Sequence, residues 1–107
     1  DIMNWTKDDL HAYLLIWCAN ADFIEFEEEV ELILSQIDTK RYKALHREFE
    51  KDNDYQRIEK IKTAVHDLNY SADEINLLID DMKEVFNAHG HMDTAEQSIL
   101  LGLKRIL

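Results

Sequence analysis

Apolar residues recur three and four positions apart along most of this chain, with polar residues between them. With about 3.6 residues to a helical turn, that spacing keeps one face of a helix apolar. The first stripe is Leu10, Tyr13, Leu14, Trp17 and Ala21. It follows "TKDD", Thr6 to Asp9, a capping-box pattern with Asp9 in place of the usual Glu or Gln. A second helix is expected from about Glu25 to Gln36, with Phe26, Val30, Ile33, Leu34 and Ile37 inward. Glu27, Glu28 and Glu29 crowd its first turn, where the helix dipole favours negative charge. A third helix follows Asp38 or Thr39 and turns Tyr42, Leu45 and Phe49 inward. "EKDND" breaks the pattern, and a fourth helix follows Asp54 with Ile58, Ile61, Val65 and Leu68. "SADE", Ser71 to Glu74, is a full capping box that opens a fifth stripe of Ile75, Leu78, Ile79, Met82 and Phe86. Gly90 is a natural left-handed stop for that helix. "TAEQ", Thr94 to Gln97, opens a last helix with Ile99, Leu100, Leu103, Ile106 and Leu107.

Composition supports helices throughout. The chain has no proline and two glycines, fewer than the turns of a sheet-rich domain require. At 107 residues and 46% hydrophobic it is expected to be a single all-α domain spanning residues 1–107, with about six helices around one core. Cys18 is the one cysteine and cannot form an internal disulfide; inside "AYLLIWCA" it reads as a buried, inert thiol. No stretch reads as a signal peptide, and no apolar run approaches the roughly 20 residues of a membrane span. A reducing cytoplasm is the expected compartment, with no direct membrane insertion.

The net charge of −11 disfavours nucleic acid and anionic membranes as general partners. Residues 1–37 carry −8 and residues 71–107 carry −4, while residues 38–70 carry +1. The basic stretch "KRYKALHR", Lys40 to Arg47, could meet an anionic partner, but it reads first as a solvated face balancing the acidic ends.

A weak internal repeat gives the charged residues a frame. Ala21 to Glu29, "ADFIEFEEE", lies without gaps over Ala88 to Glu96, "AHGHMDTAE". Each copy ends one apolar helix, turns, and begins another. Each places a ligand-capable residue, Asp22 or His89, at the helix end and a glutamate, Glu29 or Glu96, seven residues later. Val30 over Gln97 and Ile33 over Leu100 continue the alignment.

A twice-repeated "A-D-G-x-I-x-x-x-E" pattern at a helix–turn–helix joint resembles the tellurite-resistance TerB-like family. The resemblance implies two pseudo-symmetric helical hairpins and a divalent metal ion held by the repeated acids. Carried over, the ligands are Asp22 and Glu29 from the first joint and His89 and Glu96 from the second, with His91 a substitute. It also implies a non-enzymatic, stress-response role with a protein partner, in a complex that can be membrane-associated. The chain departs from the pattern: Phe23 stands at the first glycine, Glu25 at an apolar position, and His89 at the second aspartate. Histidine among carboxylates moves the preference from calcium-like ions towards zinc or manganese.

Other chemistry finds no support. From Asp22, the third, fifth and twelfth loop positions are Ile24, Phe26 and Ile33, which cannot ligate calcium in an EF-hand. There is no HExxH, no glycine-rich phosphate loop and no nucleophile elbow, so no enzyme is expected. His11, His46 and His66 fall inside helices among charged neighbours and read as surface or half-buried residues. Three bland readings stay open: Asp22 caps the second helix, His89 and His91 suit a helix C-terminus when protonated, and Glu27 to Glu29 form a solvated first turn. On these readings the protein is a metal-free helical adaptor with an acidic docking face.

Overall fold

The computed structural model describes residues 5–20, 27–88 and 94–107. They form six helices: α1 (Lys7–Ala19), α2 (Glu27–Gln36), α3 (Thr39–Lys51), α4 (Asp54–Asp67), α5 (Ala72–Asn87) and α6 (Thr94–Ile106). The all-α architecture is thus as expected.

Helix starts follow local chemistry. The Thr6 hydroxyl accepts from the Asp9 N–H at 3.2 Å, and Asp9 Oδ2 accepts from the Thr6 N–H at 3.0 Å, so aspartate completes the box. Asp38 caps α3 through the Arg41 N–H, and Ser71 and Glu74 close the box of α5. The fourth cap is Asn53, one residue before the expected Asp54, and Gln56 returns the bond. The sequence reading took the charged residue as the start, but Asn53 is the one whose extended backbone frees it to cap. Thr94 is the first residue of α6, inside its first turn rather than before it.

Asn69 ends α4 without a glycine. It sits at φ 53°, a left-handed conformation that asparagine tolerates well. The Tyr70 N–H reaches the Val65 carbonyl and the Asn69 N–H reaches that of His66, both at 3.3 Å. This is a Schellman stop, and Val65 and Tyr70 both pack against the core beneath it.

α1 departs from its expected stripe. Besides Leu10, Tyr13, Leu14 and Trp17, it buries Ala12, Leu15, Ile16, Cys18 and Ala19. A helix apolar on all sides belongs at the centre of a domain, and α1 packs against all five other helices. The surrounding helices keep narrower stripes: Leu45 and Phe49 on α3, Ile61 and Ala64 on α4, and Leu78, Met82, Val85 and Phe86 on α5. Each fully buried large apolar side chain stabilises the fold by roughly 1.5–3 kcal/mol.

Polar ties close the core at one end. The Tyr13 hydroxyl donates to Asp52 Oδ2 at 2.7 Å, and Lys60 donates at 2.7 Å to the same oxygen and to Glu48. Burial pushes the Lys60 ammonium down, but these two hydrogen bonds outweigh it and leave the group above its usual value. Arg57 lies 3.7 Å over the Phe49 ring and donates to the Phe49 carbonyl, joining α4 to α3.

Two helix pairs carry the candidate site. α1 packs on α2, and α5 on α6; α1 also touches α5 and α6, and α5 touches α2. The turns of the sequence repeat, residues 21–26 and 89–93, lie outside the described residues, but the helices that flank them can be compared. α2 begins at Glu27 and α6 at Thr94, equivalent positions in the gapless alignment, and α1 and α5 end within one residue of equivalence. Leu15 and Met82, Cys18 and Val85, Ala19 and Phe86, and Ile33 and Leu100 are equivalent pairs buried in both copies.

Candidate functional site

Buried charge is scarce in this fold. Among the described residues only Asp9, Glu29 and Glu96 are both charged and buried, at 6%, 1% and 1% exposure. Asp9 is explained by structure: Arg41 Nε donates to its Oδ1 at 2.6 Å, and that bond holds its carboxyl below the usual range. This pair ties α1 to α3, and the sequence reading, which gave Asp9 only a capping role, missed it. Arg41 falls in the basic stretch Lys40 to Arg47, but nothing local marks Asp9 as its partner.

Glu29 and Glu96 are the two glutamates singled out by the repeat. Each is the third residue of its helix, α2 or α6. There the free backbone N–H groups and the positive end of the dipole favour a carboxylate. It is also the position from which a glutamate reaches back across the helix start. Capping glutamates usually sit at the surface, whereas these two are inside.

Both belong to helices that pack on α1. Cys18 is 1% exposed. Burial pushes its thiol well up, and the charges of Glu29 and then Glu96 push it further. Two carboxylates far apart in sequence thus lie within electrostatic reach of one sulfur. The inert-thiol expectation agrees with this setting: a thiol reagent should modify native protein on the order of a hundredfold more slowly than urea-unfolded protein. Equal rates in a stopped-flow assay would place Cys18 outside the core.

Asp22, His89 and His91 lie outside the described residues. Among the described residues no group of three or more His, Cys, Asp or Glu side chains is placed to hold a metal ion, so Cys18 does not complete a set with the two glutamates. No known protein family, characterised protein or solved structure matches this chain. The TerB-like reading therefore rests on the sequence pattern.

Each described histidine sits beside a carboxylate. His11 Nε2 is 2.8 Å from Asp81 without hydrogen-bond alignment. His46 Nδ1 is 3.0 Å from Glu50, and His66, 89% exposed, is 3.1 Å from Asp67. A cleft of about 360 Å³ beside the end of α1 is lined by Trp17, Asn20, Phe49, Glu50, Asp54, Arg57 and Ile99. Among the described residues its one cation, Arg57, is engaged with the Phe49 carbonyl and with Asp54. Among the described residues no helix is long and apolar enough to cross a membrane.

Proposed function

We propose that this chain is a small, non-enzymatic, TerB-like domain that holds a divalent metal ion between its two helical joints. The observation that carries the reading is the paired burial of Glu29 and Glu96, whose charges both bear on the buried Cys18. The two residues occupy the same place in each copy of the repeat, in the same turn of the following helix. Interior carboxylates are costly unless a cation, a proton or hydrogen bonds compensate them. A divalent ion would bind both at once, in addition to the contacts that each already makes within the chain. Asp22 and His89 would complete a set of three oxygen donors and one nitrogen, which suits zinc or manganese. In keeping with the TerB-like pattern, the domain would act in a cytoplasmic stress-response complex through a protein partner.

Thermal unfolding of chelator-stripped protein tests this. With zinc, manganese, calcium and magnesium titrated separately, one ion should raise the melting temperature by roughly 10 °C at a hundredfold excess over its dissociation constant. His89→Ala should abolish that rise. A flat response to all four ions rules out the metal and leaves the adaptor reading.

A further inference from the structure

Two exposed helix faces share one spacing and carry opposite charge. On α3, Lys40, Ala44, Arg47 and Lys51 follow one another at steps of four, three and four residues. On α5, Asp73, Leu77, Asp80 and Glu84 follow at the same steps. Those steps trace the seam along which paired helices meet in a coiled coil. All six charged residues are exposed, and Ala44 is half-buried. Leu77, in the middle of the acidic seam, is 63% exposed. None of the six takes part in an ion pair among the described residues, whereas Lys7, Arg41, Arg57, Lys60 and Lys62 all do.

We propose that α3 of one copy docks on α5 of a second copy, parallel and in register. Equivalent seam positions face each other in parallel pairing. Lys40 then meets Asp73, Arg47 meets Asp80, Lys51 meets Glu84, and Leu77 covers the small Ala44. Antiparallel pairing sets Asp80 against Ala44 and Arg47 against Leu77, losing the central charge pair. The matched seam is about 16 Å long at roughly 1.5 Å per residue. The net charge of −11 opposes self-association. Salt screens that repulsion beyond about 8 Å at physiological ionic strength, so the local match decides. Nucleic acid fits the basic seam less well. It would meet the overall negative charge and Glu48 and Glu50 on the same helix, and it would leave the complementary face of α5 unexplained.

Exposed ion pairs are individually weak, so the contact should appear only at high protein concentration. The test is sedimentation equilibrium up to millimolar protein, with reductant present. The mean mass of the wild type should rise with concentration. Arg47→Glu and Asp80→Arg should each hold the chain monomeric, with unchanged helical circular dichroism. Mixing the two variants should restore association, because the unaltered α3 of the Asp80→Arg chain then meets the unaltered α5 of the Arg47→Glu chain, and the two reversed charges attract in the other pairing. Three results would overturn the proposal: a wild type that stays monomeric, association that survives both reversals, or a mixture that behaves like its parts. A monomeric wild type that binds an oligonucleotide through Arg47 would likewise overturn it and reassign the α3 face to nucleic acid.

Discussion

Tyr13→Ala is expected to lower stability by about 4 kcal/mol, the range for deleting a buried aromatic side chain. Tyr13 is fully buried on the central helix. Its ring lies 4.7 Å from that of Trp5 and 5.7 Å from that of Phe49, centroid to centroid. Removing it opens a cavity between α1 and α3 and takes the hydroxyl from Asp52. Tyr13→Phe separates these effects: the ring stays, Asp52 keeps Lys60, and the loss should be about 1 kcal/mol. Urea unfolding followed by far-ultraviolet circular dichroism measures both. The midpoint should fall with an unchanged slope, marking a change in stability rather than in surface exposed. A loss under about 2 kcal/mol for Tyr13→Ala would contradict a tightly packed ring, since cavity costs at collapsed sites fall to that level.

The elements that could be read from sequence are those fixed within a few residues. The caps at Thr6, Asp38 and Ser71 need a side chain only three positions from its partner; Thr6 and Ser71 form as read, and Asp38 is the cap of the two residues offered for α3. The stripes of α3 and α5 were visible because one side of each faces water. α1 misled the same reasoning: Leu15, Ile16 and Cys18 lie off its predicted stripe, and only packing by five other helices explains their burial. Asn69 was passed over because its left-handed turn shows in the backbone, not in any apolar period. For the candidate site, the repeat placed Glu29 and Glu96 at equivalent helical positions. It could not show that the charges of both bear on Cys18, since that depends on how α1 packs against α2 and α6. The Asp9–Arg41 pair was illegible for the same reason: it joins two helices through residues that belong to no shared pattern.

Glu29→Gln and Glu96→Gln should each act with opposite sign in chelator and in metal. With chelator present, either substitution is expected to raise stability by about 1 kcal/mol, or roughly 4 °C in melting temperature. Glutamine keeps the shape and one carbonyl acceptor while removing one of two like charges held in the interior. With the preferred ion at a hundredfold excess over its dissociation constant, the wild type should gain about 2.7 kcal/mol, and both variants should lose most of that gain. The ranking of wild type and variant therefore inverts between the two conditions, which a change in packing alone would not produce. The bland alternative predicts otherwise. Glutamine serves at the third helical position as well as glutamate, so a pure capping role leaves both variants close to wild type in every buffer. Destabilisation of both variants, with or without metal, would instead mark the carboxylates as members of structural ion pairs and end the metal reading. A second comparison ties the result to the two joints together: if one ion serves both, the double variant should show no more loss of metal response than either single one. Two independent half-sites would instead lose the response in two equal steps.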